Sequence, residues 1–496
     1  MRLTVEGQQI HVDCEGIHTE GLAEGPEKKY LKKELKKHIY RVMHELTKAE
    51  LPWGALTGIR PTKLIVTMIE AAPDVTDEEI TSFLKENYYV TDEKAALGIQ
   101  IARREIKLLE KIDYEEGYSL YIGIPFCPTT CLYCSFTSYP IGAWKGKTGL
   151  YLDALFKELS YTAEKMKGRT LDTVYFGGGT PSQLEKEDFE LIFETIRTHY
   201  GLNHCQEITL EANPDDLTSE YLGMLSSLPF NRLSMGIQTF DDNTLKLLKR
   251  RHNARAAIEA VSRCREAGFR NISIDLIYGL PGETKERWEN DLRQAIALNV
   301  EHISAYHLIY EEDTLIYKML KQHRISEVDE DSSLEFFTLL IEELQKAGFE
   351  HYEISNFCRP DKYSRHNTSY WKGIPYLGCG PSAHSFDGAT REWNISSIDA
   401  YIKGIEEHQR AFEIEYLDQT TRYNEFIITT IRTTWGAPIE KLKQMFGNEM
   451  WEYCRRMAAP YLDNGKLEEH NGALRLTRKG IFISDSIMSD LLWVDN

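Results

Sequence analysis

Three cysteines, Cys127, Cys131 and Cys134, stand in a Cys-x3-Cys-x2-Cys spacing within YIGIPFCPTTCLYCSF, residues 121–136. Pro125 and Pro128 stiffen the loop that carries them, so three thiolates can face one inorganic centre. A zinc ion would want a fourth nitrogen or sulfur to close its tetrahedron, and no Cys or His follows nearby. A cubane iron–sulfur cluster also takes four ligands as a rule, so three cysteines would leave one iron open to a small molecule. The bland alternative is three buried thiols. It leaves unexplained why three of the nine cysteines in 496 residues fall within eight positions, just before a glycine-rich strand end. The open-iron reading therefore stands ahead of zinc, and zinc ahead of inert thiols.

The elements that must position this loop are legible over residues 117–310. Apolar strand-like runs (YSLYIGIPF, TVYFGGG, EITLEANP, RLSMGIQTF, NISIDLIYGLP and HISAYHLIY) alternate with helix-like segments. That alternation predicts parallel β/α units, and six of them predict an open partial barrel. Chemistry in such folds gathers at the carboxyl ends of the strands. The first strand ends in the cysteine loop and the second in Gly177, Gly178, Gly179, Thr180 and Pro181. There, missing side chains would let backbone N–H groups reach an anionic or zwitterionic ligand, although a glycine run is more often only a tight turn. Glu211 and Asn213 follow the third strand, Gln238 ends the fourth with Arg250 just beyond, and Asp275 lies on the fifth. A strand-borne acid is often a core residue bonded to backbone, but here several polar groups fall at matching strand ends. Together they suit a ligand with an amino-acid end, hydroxyls and a base.

Around this centre the chain is read as four parts: an N-terminal α+β extension with a helical linker (1–115), the partial barrel (116–335), a polar, aromatic segment that closes the barrel (336–415) and a C-terminal winged-helix-like domain (416–496). Residues 1–50 predict a strand pair and an amphipathic helix with Leu31, Leu35, Ile39, Val42 and Leu46 on one face. LPWGALTGIRPTKLI, with Trp53, Arg60 and Lys63, reads as an interface loop, and residues 63–112 as helices opened by threonine N-caps. The C-terminal part predicts two helices and a hairpin turning at Asn471-Gly472. Acids alternate with its lysines and arginines, and the net charge of −19 argues against nucleic-acid binding. No apolar run reaches the roughly 20 residues of a membrane span. An odd cysteine count in a long chain without a signal-like start points to a reducing cytoplasm.

These motifs, YIGIPFCPTTCLYCSF, VYFGGGTPS, LEANP, RLSMGIQTF, SIDLIYGLPGET, HYEISNF and LGCGPSAHSF, resemble the radical S-adenosylmethionine (SAM) superfamily and, within it, the oxygen-independent coproporphyrinogen III oxidase family. The LPWGALTGIRPTKL extension resembles its HemZ-like coproporphyrinogen dehydrogenase branch. The resemblance implies a [4Fe–4S] cluster on Cys127, Cys131 and Cys134, with the fourth iron chelated by SAM. It implies that Tyr121 and Tyr133 pack near SAM, and that Gly178, Gly179 and Thr180 meet its amino group. Glu211 and Gln238 would clamp its polar groups, and Arg250 and Asp275 would meet its carboxylate and ribose. Ile309 and His384 fall where the oxidase contacts a second SAM, so one or two molecules are expected. The implied reaction passes an electron to SAM and frees methionine and a 5′-deoxyadenosyl radical, which takes hydrogen from propionates of coproporphyrinogen III; loss of CO2 and one further electron then leaves vinyl groups, giving protoporphyrinogen IX. A low-potential donor such as flavodoxin or ferredoxin would supply the electron. Two positions depart from the oxidase: Gly123 replaces its His, and Phe136 replaces a further Cys. The arginines that would meet a tetra-anionic porphyrinogen are expected among Arg60, Arg232, Arg250, Arg365 and Arg391. A haem-binding or haem-trafficking protein of the same superfamily, or a radical SAM enzyme acting on another tetrapyrrole, is the alternative.

Overall fold

The apolar runs between residues 117 and 307 pair side by side in chain order in the computed structural model of the protein. Gly117–Ile124, Thr170–Gly178, Glu207–Ala212, Arg232–Gln238, Ile272–Tyr278 and His302–His307 form six neighbouring parallel strands. Parallel strands covered by helices on one face read as apolar runs, and these are almost continuously buried. The structure describes all residues except 24, 26, 57–63, 66, 67, 70, 71, 73, 111–116, 145, 495 and 496. Arg60, Lys63 and most of the expected interface loop therefore lie outside the described residues.

The sheet is larger than the six strands read from the sequence. Tyr376–Cys379 adds a seventh parallel strand beside Gly117–Ile124, and antiparallel strands continue both edges to make twelve. The segment 336–415 thus supplies strands to the two ends of the same sheet: Glu350–Glu353 and Asn356–Cys358 at one, Tyr376–Cys379 through Thr390–Asn394 at the other. The added strands have three to five residues each, too short for a periodic signal. Cys358 and Cys379 on these strands are buried thiols.

Helices cover the apolar side. Phe176 meets Phe189, Phe193 and Phe230 at ring separations of 5.2–5.8 Å, and Trp288 donates its Nε1–H to the Phe336 carbonyl at 2.9 Å. A second core, including Tyr423, Ile427, Phe446, Trp451 and Ile487, lies in the C-terminal part. There Gln419–Ile431 and Ile439–Asp463 precede the hairpin Leu467–His470 and Ala473–Leu476. The segment Ile439–Asp463 is broken at Gly447, whose φ of 81° is not helical. Asn471 and Gly472 both have positive φ, as the two-residue turn requires.

By residue contacts the chain divides into two units, Met1–Lys111 and Ile112–Asn496. The first has three antiparallel strands, Arg2–Glu6, Gln9–Cys14 and Ile17–Leu22, where two were expected. Helix Lys28–Thr47 packs on them through Leu31, Leu35, Ile39, Val42 and Leu46. Helices Asp77–Tyr88 and Asp92–Glu110 follow, the former with a complete capping box between Thr76 and Glu79. Among the described residues no helix is long and apolar enough to cross a membrane.

Candidate functional site

Pro125 ends the buried first strand, and the loop beyond it is held by backbone rather than left loose. Tyr139 donates its N–H to the Pro125 carbonyl at 2.7 Å. Leu132, between the second and third cysteines, donates to Leu248 O at 3.1 Å and accepts from Ile316 N at 3.0 Å. Its side chain is buried among Leu248, Ile277, Leu280, Leu308 and Ile316. An apolar residue inside the cysteine run therefore pins the loop, and the thiols on either side of it face a cavity of about 430 Å³.

Each sulfur has a donor aimed at it. The Thr180 hydroxyl donates to Cys127 Sγ at 3.3 Å, and Arg250 Nη1 donates to Cys131 Sγ at 3.3 Å. The Phe136 N–H is directed at Cys134, whose thiol is nonetheless pushed up to about 11 by burial. Burial likewise raises Cys127. Desolvation disfavours the thiolate despite the nearby Arg250, and a bound metal centre would reverse that balance. Three thiols lining one cavity, each with a donor, could together hold a multi-iron cluster.

The glycine turn beside them does something different from what its sequence suggested. Gly179 N–H bonds to Ile124 O and Thr180 N–H to Phe126 O, both at 2.8 Å, and the Gly178 N–H is directed at Glu211. These N–H groups are already engaged within the protein, which corrects the expectation that they reach a ligand. The glycine at 179 is required by close approach: a Cβ there would lie 2.7 Å from Phe126 O and 2.9 Å from Ile124 O. The turn is thereby clamped to the cysteine loop.

Arg250 joins the loop to the barrel. Lys249, at φ 59°, turns the chain so that Arg250 Nη2 reaches Asn213 Oδ1 at 2.6 Å and Gly236 O at 2.5 Å. Arg250 Nε and Arg232 Nε are buried and find no partner among the described residues, so each is left for a ligand or water. Arg251 is held by Asp215 and Asp216 at 2.7 Å. Deeper in, Tyr175 donates its hydroxyl to Glu211 Oε1 at 2.7 Å, and Ser234 donates to Asp275 Oδ2 at 3.3 Å. Burial pushes Glu211 up to about 7 against the opposing Tyr175 bond, and it also raises Asp275. Gln238 ends its strand with φ 73°, where the register against Asp275 and Leu276 shifts.

The structure brings twelve of the fourteen expected site residues to one cavity: Cys127, Cys131, Cys134, Tyr133, Gly178, Gly179, Thr180, Glu211, Gln238, Arg250, Asp275 and Ile309. Ile309 stands at the mouth, 67% exposed. Tyr121 does not line it. It lies below the glycine turn and stacks on Tyr175 at 6.2 Å. His384 is also outside the lining, stacked on Trp393 at 5.6 Å on an added antiparallel strand. Of the arginines considered for a substrate, Arg232 and Arg250 line the cavity, and Arg391 is instead paired with Glu425 at 2.6 Å.

Ser234, Ser273, Ser304, Tyr175 and Tyr306 also line the cavity and were not singled out from sequence. The signal was present as alternation. In RLSMGIQ, Arg232, Ser234, Gly236 and Gln238 alternate with buried Leu233, Met235 and Ile237; in ISIDLIY, Ser273 and Asp275 alternate with Ile272, Ile274 and Leu276. A period of two within strands that read as apolar marks an inner polar face.

The family model described as "Radical SAM superfamily" matches residues 121–295, and that described as "HemN C-terminal domain" matches residues 417–483. The chain is 32% identical to the Bacillus subtilis protein named heme chaperone HemW, over 75% of this chain and 99% of that one. It is also 32% identical to the oxygen-independent coproporphyrinogen-III oxidase-like protein HemZ of Bacillus subtilis, over 86% of this chain and 88% of that one. The solved structure of Escherichia coli coproporphyrinogen III oxidase (HemN) has a TM-score of 0.67 at 24% identity, covering 78% of this chain and 93% of that one, which places the fold. With the three-thiol loop at the mouth of a parallel sheet and relatives matched over nearly their whole length, the chain belongs to the HemN-like family, with HemW and HemZ, of the radical SAM superfamily.

Proposed function

We propose that the chain is a radical SAM dehydrogenase that converts propionate side chains of coproporphyrinogen III to vinyl groups: one hydrogen atom passes to the 5′-deoxyadenosyl group of SAM, CO2 is released, and one further electron leaves to a one-electron acceptor. The observation that carries this reading is the continuity of one cavity from the three thiols to the inner polar row of Glu211, Ser234, Gln238 and Asp275. A [4Fe–4S] cluster bound by Cys127, Cys131 and Cys134 would supply the electron that cleaves the carbon–sulfur bond of SAM. The remaining work falls to the protein's own groups. Arg250, fixed by Asn213 and Gly236, presents a cation to a carboxylate beside the thiols. Glu211 and Asp275, both desolvated, offer acceptors to hydroxyls. Exclusion of water by the buried strands protects a radical from quenching. Lys249 and Arg232 along the lining are further cations that could meet substrate carboxylates.

The reach of the HemZ alignment supports this branch. It takes in 86% of the chain, more than Ile112–Asn496 alone amounts to, and so extends into the first unit. The test is anaerobic reconstitution with iron and sulfide, followed by measurement of 5′-deoxyadenosine and of porphyrinogen mass with and without coproporphyrinogen III. Substrate-dependent 5′-deoxyadenosine with loss of CO2 from the porphyrinogen supports the reading; SAM cleavage that never alters the porphyrinogen overturns it.

A second reading, haem binding in place of porphyrinogen turnover, is favoured by the alignment with 99% of the protein named heme chaperone HemW. His366, in the helix Arg365–Trp371, does not offer a free imidazole for it: Nδ1 meets Thr173 at 2.8 Å and Nε2 meets Tyr370 at 2.9 Å. Stoichiometric haem uptake by the purified chain, without turnover, would establish this reading instead.

A further inference from the structure

The first unit carries a side-chain cluster that the barrel chemistry does not use. The hairpin Gln9–Cys14 and Ile17–Leu22 turns at Glu15 and Gly16, whose φ values of 48° and 84° are both in the left-handed region. Such a two-residue turn sets the register, placing His11 opposite Glu20 and Asp13 opposite His18. Ile10 and Val12 are buried under the helix Lys28–Thr47. The alternation of a strand therefore puts His11, Asp13, His18 and Glu20 together on the opposite, solvent side.

Their distances are those of metal ligands and not of a hydrogen-bonded cluster. Glu20 Oε2 lies 3.5 Å from His11 Nδ1 and 3.8 Å from His18 Nε2, too long for either to be a good hydrogen bond. Two atoms bound to one zinc at about 2.0–2.1 Å stand about 3.3 Å apart, and all three ligand atoms already lie within 4.8 Å of one another, so an inward movement of the side chains would let them share an ion. One pair is different. Asp13 Oδ1 is 2.6 Å from His18 Nδ1 and accepts its proton. That bond leaves the lone pair on Nε2, the nitrogen nearest Glu20, which is how a second carboxylate orients a metal-binding histidine.

We propose that His11, His18 and Glu20 bind a divalent transition-metal cation, zinc in the first instance, with Asp13 as the positioning residue and water completing the coordination. Two imidazoles and one carboxylate suit zinc and leave an open position. Of the apolar core beneath the hairpin, Ile10, Val12, Ala23 and Val42 are buried while Leu31, Leu35, Ile39 and Leu46 are partly exposed, so an ion that ties its two strands would steady a small sheet.

The test uses the full chain with its cysteine loop loaded with iron and sulfide, freed of loosely held metal and titrated anaerobically with zinc chloride in a calorimeter. One zinc per chain is expected, with affinity at least ten-fold lower in His11→Ala, His18→Ala and Glu20→Gln and a smaller loss in Asp13→Asn. Amide exchange across residues 9–22 should slow when zinc is added. The same zinc should be retained by Cys127→Ala, which separates this site from the cysteine loop. Absence of stoichiometric zinc from the parent chain, or equal affinity in folded His11→Ala and His18→Ala variants, overturns the proposal.

Discussion

Arg250 and Cys131 are 119 residues apart in sequence, yet a guanidinium nitrogen of one donates to the sulfur of the other at 3.3 Å. The other terminal nitrogen of Arg250 is held by Asn213 and by the Gly236 carbonyl. The cysteine loop and the barrel strands therefore share one cation, and loss of it affects both.

Replacing Arg250 with Ala should lower 5′-deoxyadenosine formation at least ten-fold, and Arg250→Lys should recover little of it. A lysine ammonium cannot reach sulfur, amide and carbonyl from one planar group. Iron content measured beside the rate separates the roles: iron retained with the rate lost is the expected outcome, and unchanged SAM cleavage in Arg250→Ala contradicts it.

Cys127→Ala, Cys131→Ala and Cys134→Ala should each abolish the brown iron–sulfur absorbance and SAM cleavage together. A variant that retains the parent spectrum would remove that cysteine from the ligand set. Ala at the buried Cys358 or Cys379 should leave the spectrum intact, since neither lines the cavity.

Gly179→Ala should disturb the cysteine loop without replacing any of its three thiols. Its Cβ would meet backbone atoms of Ile124 and Phe126 at 2.7–2.9 Å. Relief by backbone movement costs about 1–3 kcal/mol, as overpacking generally does. Chemical denaturation should show the loss, and reconstitution should yield less iron per chain. A variant with parent stability and iron content would show that the clamp is not needed.

Glu211 links stability to pH. Its folded-state value of about 7 lies above the ordinary 4.5, so the fold favours the protonated form. The contribution is fully present below pH 4.5 and is lost as pH rises through about 7, because the unfolded chain gives up the proton first. Glu211→Gln, which stays neutral, should flatten the fall in melting temperature of the unliganded chain over that interval. An identical pH profile in the variant counts against the assignment. Asp275→Ala should weaken SAM binding with the iron–sulfur spectrum unchanged, measured as a rise in Kd by equilibrium dialysis.

Local spacing and alternation carried much of this protein in its sequence. The run from Cys127 to Cys134 limits the inorganic chemistry because three thiols on eight residues cannot separate widely. The alternation of strand and helix predicts the parallel sheet, because parallel neighbours need a crossover between them long enough to be a helix. The added edge strands were not legible, since three to five residues hold too short a pattern. Nor was the use of Gly178, Gly179 and Thr180, whose N–H groups could have met a ligand or the protein; only the approach of Ile124, Phe126 and Glu211 decides which. Tertiary structure alone places Arg250 on Cys131, keeps Tyr121 and His384 out of the cavity lining and sets His11 and His18 around Glu20. Those relations depend on segments that meet across a sheet, and the order of residues along a chain does not specify distances across one.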